Sequence, residues 1–275
     1  MAELTTINEQ VYNVQEDSEQ MPPVETVICV LTQRSVFMAG FDNNEELLTI
    51  HTIGYSQEKA VWDLDFFEQI VATEPLFAAK EKVKAVFIAS DRNMVVPEEL
   101  YDEVAAKSWI KRIHFIEQND TIETSSVAND KTQYLYAVPL SITALIKINF
   151  KKATILPLPL YHFQNIKQQS LYLKCCISNE QVCATLHNYS QLLWHRIFDY
   201  SCAEDIAYEI KHLCMENNIS PSKISLVCNA TGAMEYETIT ALTQYYGGIK
   251  CGDGSPLGDQ WAPAISLAKQ LLSCV

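Results

Sequence analysis

The sequence predicts an α/β protein in which one β-β-β-α-β unit occurs twice. Two observations predict it. Apolar runs of strand length, separated by short polar turns, follow in the same order after residue 24 and again after residue 170. Matching residues also recur at nearly constant spacing: Leu47-Leu48 with Leu192-Leu193 and Tyr55-Ser56 with Tyr200-Ser201 at 145, and Val36 with Val182 at 146.

The elements of the first copy read in order. Residues 1–23 are polar, end in Pro22-Pro23 and are expected to be a flexible tail. Val27–Leu31 and Val36–Phe41 are apolar runs around the polar break Thr32-Gln33-Arg34-Ser35. Asp42-Asn43-Asn44-Glu45 is a turn of residues that bond their own backbone, and Leu47–Ile53 completes a meander. Val61, Leu64, Phe67, Ile70 and Val71 fall on one helical face. Residues 84–89 (KAVFIA) then form a buried strand. An insertion follows: a helix from Pro97, strands at Ile113–Ile116 and Gln133–Val138 around a polar stretch at 119–132, a helix over Pro139–Phe150, and a strand at Ala153–Leu156.

The second copy repeats the pattern. Leu171–Ile177, Val182–Leu186 and Leu192–Phe198 are strands, broken by Ser178-Asn179-Glu180-Gln181 and His187-Asn188-Tyr189-Ser190. Ile206, Ile210, Leu213 and Cys214 mark a helix, and Ile224–Cys228 is a buried strand. Residues 84–90 (KAVFIAS) match 224–230 (ISLVCNA) at a spacing of 140. A helix near Glu237–Tyr246 is stopped by Gly247-Gly248, and Pro263–Leu272 is a final helix expected to pack back on the first domain. The domains are therefore a tail at 1–23, a first domain with its insertion at 24–165, and a second domain at 166–275.

Composition narrows the function. With 20 basic and 34 acidic residues the net charge is -14, which repels phosphate backbones and anionic membranes, so neither nucleic acid nor a membrane is an expected partner. No apolar stretch approaches the roughly 20 residues that span a bilayer. Residues 1–20 carry five acidic residues and no basic one, the reverse of a secretion signal, so a cytoplasmic location is expected. The nine cysteines include no C-x-x-C pair and read as free thiols acting as small buried hydrophobes.

A β-β-β-α-β unit present twice, with an insertion in the first copy and a C-terminal helix, resembles the actin-like ATPase superfamily, two ribonuclease-H-like domains around a nucleotide cleft. The segment KAVFIAS followed by MVVPEELYDE is similar to a Bacteroidetes family of actin-fold proteins of unknown function. More remotely, the order of parts resembles PilM- and FtsA-type scaffolding proteins.

That resemblance implies where a nucleotide would sit. An actin-like ATPase cradles phosphates in two hairpin turns of the pattern Asp-x-Gly, the carboxylate holding hydrated magnesium and the glycine admitting phosphate to the backbone amides. The turns here, at 32–35 and 178–181, contain no glycine and one carboxylate, Glu180. Arg34, Glu180 and Gly232, the last in the place of the adenosine loop, are the vestigial nucleotide-site candidates. No ATP or magnesium cofactor, catalytic residue or metal ligand is expected. The glycines at 247–254 lack the lysine and serine or threonine that end a phosphate loop, and read as a helix cap and a flexible loop. Asp63/Asp65 and Glu204/Asp205 read as helix-start carboxylates. The expected function is a non-catalytic scaffold or adaptor acting on an unknown protein partner. The alternatives are an ATPase or kinase with non-standard loops and, disfavoured by charge and by apolar first strands, a ribonuclease-H-like nuclease.

Overall fold

The computed structural model describes residues 5–14, 22–56, 60–127, 131–164, 171–179, 181–189, 191–246 and 248–275. The chain divides into two compact units, Met1–Gln164 with Cys274–Val275, and Asn165–Ser273.

In unit 1 the strands are β1 (Thr6–Asn13), β2 (Thr26–Leu31), β3 (Ser35–Phe41), β4 (Leu47–Tyr55), β5 (Val83–Ile88), β6 (Asn93–Pro97), β7 (Asp120–Val127), β8 (Thr132–Pro139) and β9 (Thr154–Pro157). The helices are α1 (Leu64–Thr73), α2 (Glu103–Ile113), α3 (Leu140–Asn149) and the short α4 (Leu160–Phe163). A six-stranded sheet runs β1-β4-β3-β2-β5-β9. Its β3, β4 and β5 and all but the first residue of β2 are buried or nearly so; β2, β3 and β5 therefore read as largely apolar runs, while β4 carries Thr49, His51 and Thr52 between its apolar residues. Asp63 caps α1 by accepting from the amides of Asp65 and Phe66, as its place in the sequence predicts. Phe67, Ile70 and Val71 form the buried face of α1.

Residues 6–13 correct the expected tail. They form β1, antiparallel to β4 from Thr6 opposite Tyr55 to Asn13 opposite Thr49. The strand escaped notice because its half-buried residues, Asn8, Gln10 and Tyr12, are not apolar, while Ile7 and Val11 stay exposed. Backbone pairing and a histidine–carboxylate contact hold it instead. His51 Nε2 lies 3.0 Å from Glu9 Oε1, and His51 Nδ1 lies 3.3 Å from Glu74 Oε2. Burial, and then the charge of Glu9, push the Glu74 carboxyl up to about 7.

The insertion differs from expectation in three places. Residues 93–97 are an edge strand, so Pro97 ends β6 and leads into a short 3-10 turn at Glu98–Leu100; the α-helix, α2, starts only at Glu103, where Asp102 accepts from the Ala105 amide. Ile113 is the last residue of α2, and Phe115 lies 83% exposed beyond it, so no strand forms at 113–116. The missing strand is β7, in the stretch read as polar loop: its residues are half-buried almost throughout and give no alternation. Together β6-β8-β7 form a separate three-stranded sheet covered by Ala106 and Ile110 of α2.

Unit 2 contains β10 (Tyr172–Ser178), β11 (Gln181–Asn188), β12 (Gln191–Asp199), α5 (Ala203–Glu216), β13 (Ser225–Ala230), α6 (Glu235–Leu242), β14 (Lys250–Cys251) and α7 (Ala262–Leu272). Its sheet runs β12-β11-β10-β13-β14. Leu173, Cys175, Ile177 and Cys228 on the sheet pack with Ile206, Ile210 and Cys214 of α5 and Ile239 and Leu242 of α6. The final helix packs on β13 and β14 of this unit.

Residue-by-residue pairing is the same in the two units. Val36 opposes Ile53 as Val182 opposes Phe198, and Ala39 opposes Ile50 as Thr185 opposes His195. Each third strand slips register at the same place, between Gly40 and Phe41 in unit 1 and between Leu186 and His187 in unit 2. One spacing is corrected. Cys29 pairs with Val86 and Cys175 with Cys228, so the last strands correspond at 142 and not 140, and Ser90 stands where Gly232 does.

The glycine loop is hydrogen-bonded to its neighbours. The Gly252 amide donates to Asn229 Oδ1 at 2.9 Å and the Asp253 amide to Ser266 Oγ at 3.0 Å, tying the loop to β13 and α7. At the first turn of α6, Glu235 is 4% exposed, its Oε2 lacks a hydrogen-bond partner among the described residues, and burial pushes its carboxyl up to about 7.

Two outcomes are expected. A Cβ at residue 252 would lie 2.1 Å from Gln270 Nε2 and 2.5 Å from the Asn229 amide. Gly252→Ala should therefore lower the urea-unfolding free energy by about 1–3 kcal/mol; an unchanged midpoint would show that the loop is not packed this way. Glu235 holds its proton more tightly folded than unfolded, so stability falls as pH rises from 4.5 to about 7 and the loss is complete above that. Glu235→Gln should remove that loss, gaining up to about 3 kcal/mol on the parent between pH 4.5 and 7.5 at about 1.4 kcal/mol per pH unit. A constant difference across that range would contradict it.

Candidate functional site

The β2–β3 turn is built from its own hydrogen bonds. Thr32, 2% exposed, donates its amide to Ser35 O at 3.0 Å. The amides of Arg34 and Ser35 donate back to Thr32 Oγ1 at 3.2 and 2.9 Å. The Thr32 and Ser35 hydroxyls are 2.8 Å apart. The amides that would face a phosphate in such a turn are thus taken by a threonine hydroxyl, a short side chain that competes well for nearby backbone donors.

Neighbouring groups close over the same turn. Trp62 Nε1 donates to Thr32 O at 3.1 Å, the Val61 amide to Gln33 O at 3.2 Å, and the Tyr55 amide to Arg34 O at 2.8 Å. Gln33 Nε2 donates to Asp91 Oδ1 at 2.7 Å, linking the turn to the end of β5. The Arg92 guanidinium stacks 5.5 Å from the Trp62 ring centroid and pairs with Asp120. Where unit 2 has Gly232, unit 1 has Ser90, whose hydroxyl donates to Ala137 O at 2.7 Å on β8.

The β10–β11 turn of unit 2 is held by Ser178 Oγ donating to Gln181 O at 3.1 Å and by the Tyr200 hydroxyl donating to Ser178 O at 3.2 Å. Asn179 Nδ2 and Gln181 Oε1 are buried and have no hydrogen-bond partner among the described residues. These are neutral amides, able to accept or donate a hydrogen bond but not to balance the charge of a magnesium ion.

Of the sequence-derived candidates, Arg34 is half-buried in the unit 1 turn, and Gly232 is buried just after β13 in unit 2, where the Thr231 amide donates to Ile177 O at 3.0 Å. Glu180 lies outside the described residues. Among the described residues no three His, Cys, Asp or Glu side chains are grouped to hold a metal ion, and no helix is long and apolar enough to cross a membrane. All nine cysteines are free and seven are buried. Thr32, Gln33, Trp62 and Asp91 are the residues that decide the chemistry of the turn, and sequence reasoning passed over them. The one available signal was that Thr32 and Ser35 flank the turn at the spacing a hydroxyl needs to reach amides two and three residues on.

Comparison with known proteins places this geometry. The family model described as a protein of unknown function, DUF3822, matches residues 26–248. The chain is similar to a Bacteroides thetaiotaomicron protein with actin-like ATPase fold and unknown function, at a TM-score of 0.70 and 14% identity over 90% of this chain and 95% of that one. It is also similar to a chain of the PilM-PilN type IV pilus biogenesis complex, at 0.59 and 12% over 92% and 99%. The ethanolamine utilization protein EutJ from Carboxydothermus hydrogenoformans follows at 0.51 and 8% over 94% and 93%. No curated protein matches in sequence. At these identities the structural likenesses establish the fold alone, the actin-like ATPase fold that the sequence resemblance implied. Matched by its model over most of its length, the chain belongs to the DUF3822 family of unknown function.

Proposed function

We propose that the chain is a non-catalytic actin-fold protein, the product of an internal duplication, that acts inside the cell as a scaffold or adaptor through protein contacts. The observation that carries this reading is the β2–β3 turn, where Thr32 Oγ1 accepts from the Arg34 and Ser35 amides at 3.2 and 2.9 Å. A phosphate would have to displace that hydroxyl and the Gln33–Asp91 bond, without a glycine to bring the backbone closer. Of these, the Ser35 N–H to Thr32 Oγ1 bond is buried, and losing a buried hydrogen bond costs about 1–3 kcal/mol.

One protein of the same fold, in the PilM-PilN complex, is seen with a protein partner. The net charge of -14 leaves protein surfaces as better partners than nucleic acid or anionic lipid.

Isothermal titration with ATP and magnesium tests the reading. The expected result is no saturable heat up to millimolar nucleotide and no phosphate release. Micromolar binding, or release that is lost on Glu180→Ala at unchanged melting temperature, would overturn it in favour of an ATPase with non-standard loops.

A further inference from the structure

The two units end their sheets differently on the side of the third strand. In unit 1 the edge of β4 is covered by β1, while in unit 2 the equivalent strand β12 is, among the described residues, the last of its sheet. The shared pairing places Thr49, His51 and Ile53 of β4 in correspondence with Trp194, Arg196 and Phe198 of β12. An edge strand presents a row of backbone donors and acceptors to any extended chain of the right register.

Charge repeats the correspondence. On β4, His51 lies between a carboxylate of its own unit, Glu74 at 3.3 Å, and one supplied by the covering strand, Glu9 at 3.0 Å. On β12, Arg196 has the first kind of partner only: Glu209 of α5, at 3.8 Å, with the Arg196 side chain 53% exposed. The strand that covers β4 is polar, is held by backbone pairing, and bears its carboxylate two residues before the residue opposite His51, since Val11 pairs with His51. A strand of that chemistry laid on β12 in the same register would set its carboxylate against Arg196.

We infer that the outer edge of β12 is a docking site for an extended acidic strand of a partner protein, taken up by antiparallel β-addition as β1 is on β4. This deepens the adaptor reading and rests on it for its meaning. Backbone pairing supplies the affinity, and the diagonal carboxylate on Arg196 sets register and selectivity.

The test uses a labelled peptide of residues 5–14 (TTINEQVYNV) titrated into the full chain, whose β4 is already occupied by its own β1. Saturable one-site binding is expected. Arg196→Glu in the chain should weaken it about tenfold, as should Glu9→Lys in the peptide, and the two changes together should restore it. Arg196 is exposed, so the variant should melt as the parent does. His51→Ala should leave binding unchanged. No saturable binding to the parent overturns the inference. So does binding that ignores Arg196→Glu or is sensitive only to His51→Ala, which would mean exchange into β4. A chain that dimerises and excludes the peptide would overturn it as well, since the edge would then be used by a second copy. Because no arm involves nucleotide, a chain that binds neither ATP nor peptide overturns this inference alone, and one that binds both overturns the adaptor reading alone.

Discussion

Hydrogen-bond donors in a tight turn can serve one acceptor at a time, and in the β2–β3 turn the acceptor is internal. Thr32 Oγ1 receives the Arg34 and Ser35 amides and lies 2.8 Å from the Ser35 hydroxyl, while the carbonyls of residues 32, 33 and 34 receive Trp62, Val61 and Tyr55. A turn satisfied in this way needs no ligand to be stable. It also holds the ends of β2, β3 and β4 and the 3-10 turn Ala60–Trp62 in one hydrogen-bonded knot.

The frame around the knot follows from burial. Strands covered on both faces favour apolar residues, and β2, β3, β5, β10 and β11 are built mainly of thiols, aliphatics and aromatics, with a few buried polar residues such as Lys174, Gln181, Thr185 and His187 among them. Burial explains the cysteines too. Desolvation and neighbouring thiols raise Cys183 far above the ordinary thiol range, so it acts as an inert hydrophobe rather than a nucleophile. The register slip at Gly40/Phe41 and at Leu186/His187 shows that the two units share a detail of backbone geometry as well as strand order.

How much was legible in the sequence depended on whether an element declared itself through apolar residues. The core strands and α1, α3, α5 and α7 did so, and the resemblance to actin-like proteins followed from their order. Two strands did not. The half-buried residues of β1 are Asn8, Gln10 and Tyr12, and β7 is half-buried almost throughout, so neither shows an apolar period of two. Pro97 misled because proline suits a helix start and an edge-strand end equally. The spacing of 140 for the last strands came from aligning apolar runs, which look alike at neighbouring registers; only pairing across the sheet fixes 142. At the candidate site, absent glycines were readable, but the hydroxyl occupying the amides was a matter of three dimensions. So was the meeting of Gln33 with Asp91, 58 residues apart.

The account stands on the claim that the Arg34 and Ser35 amides are committed to Thr32. The most direct measurement is the response of those two amide resonances in a 15N-labelled chain as magnesium and ATP are added to millimolar concentration. The account predicts that both stay where they are and remain slow to exchange with solvent. A saturable shift of both peaks, reversed by removing the nucleotide, would show phosphate displacing the hydroxyl and would contradict it.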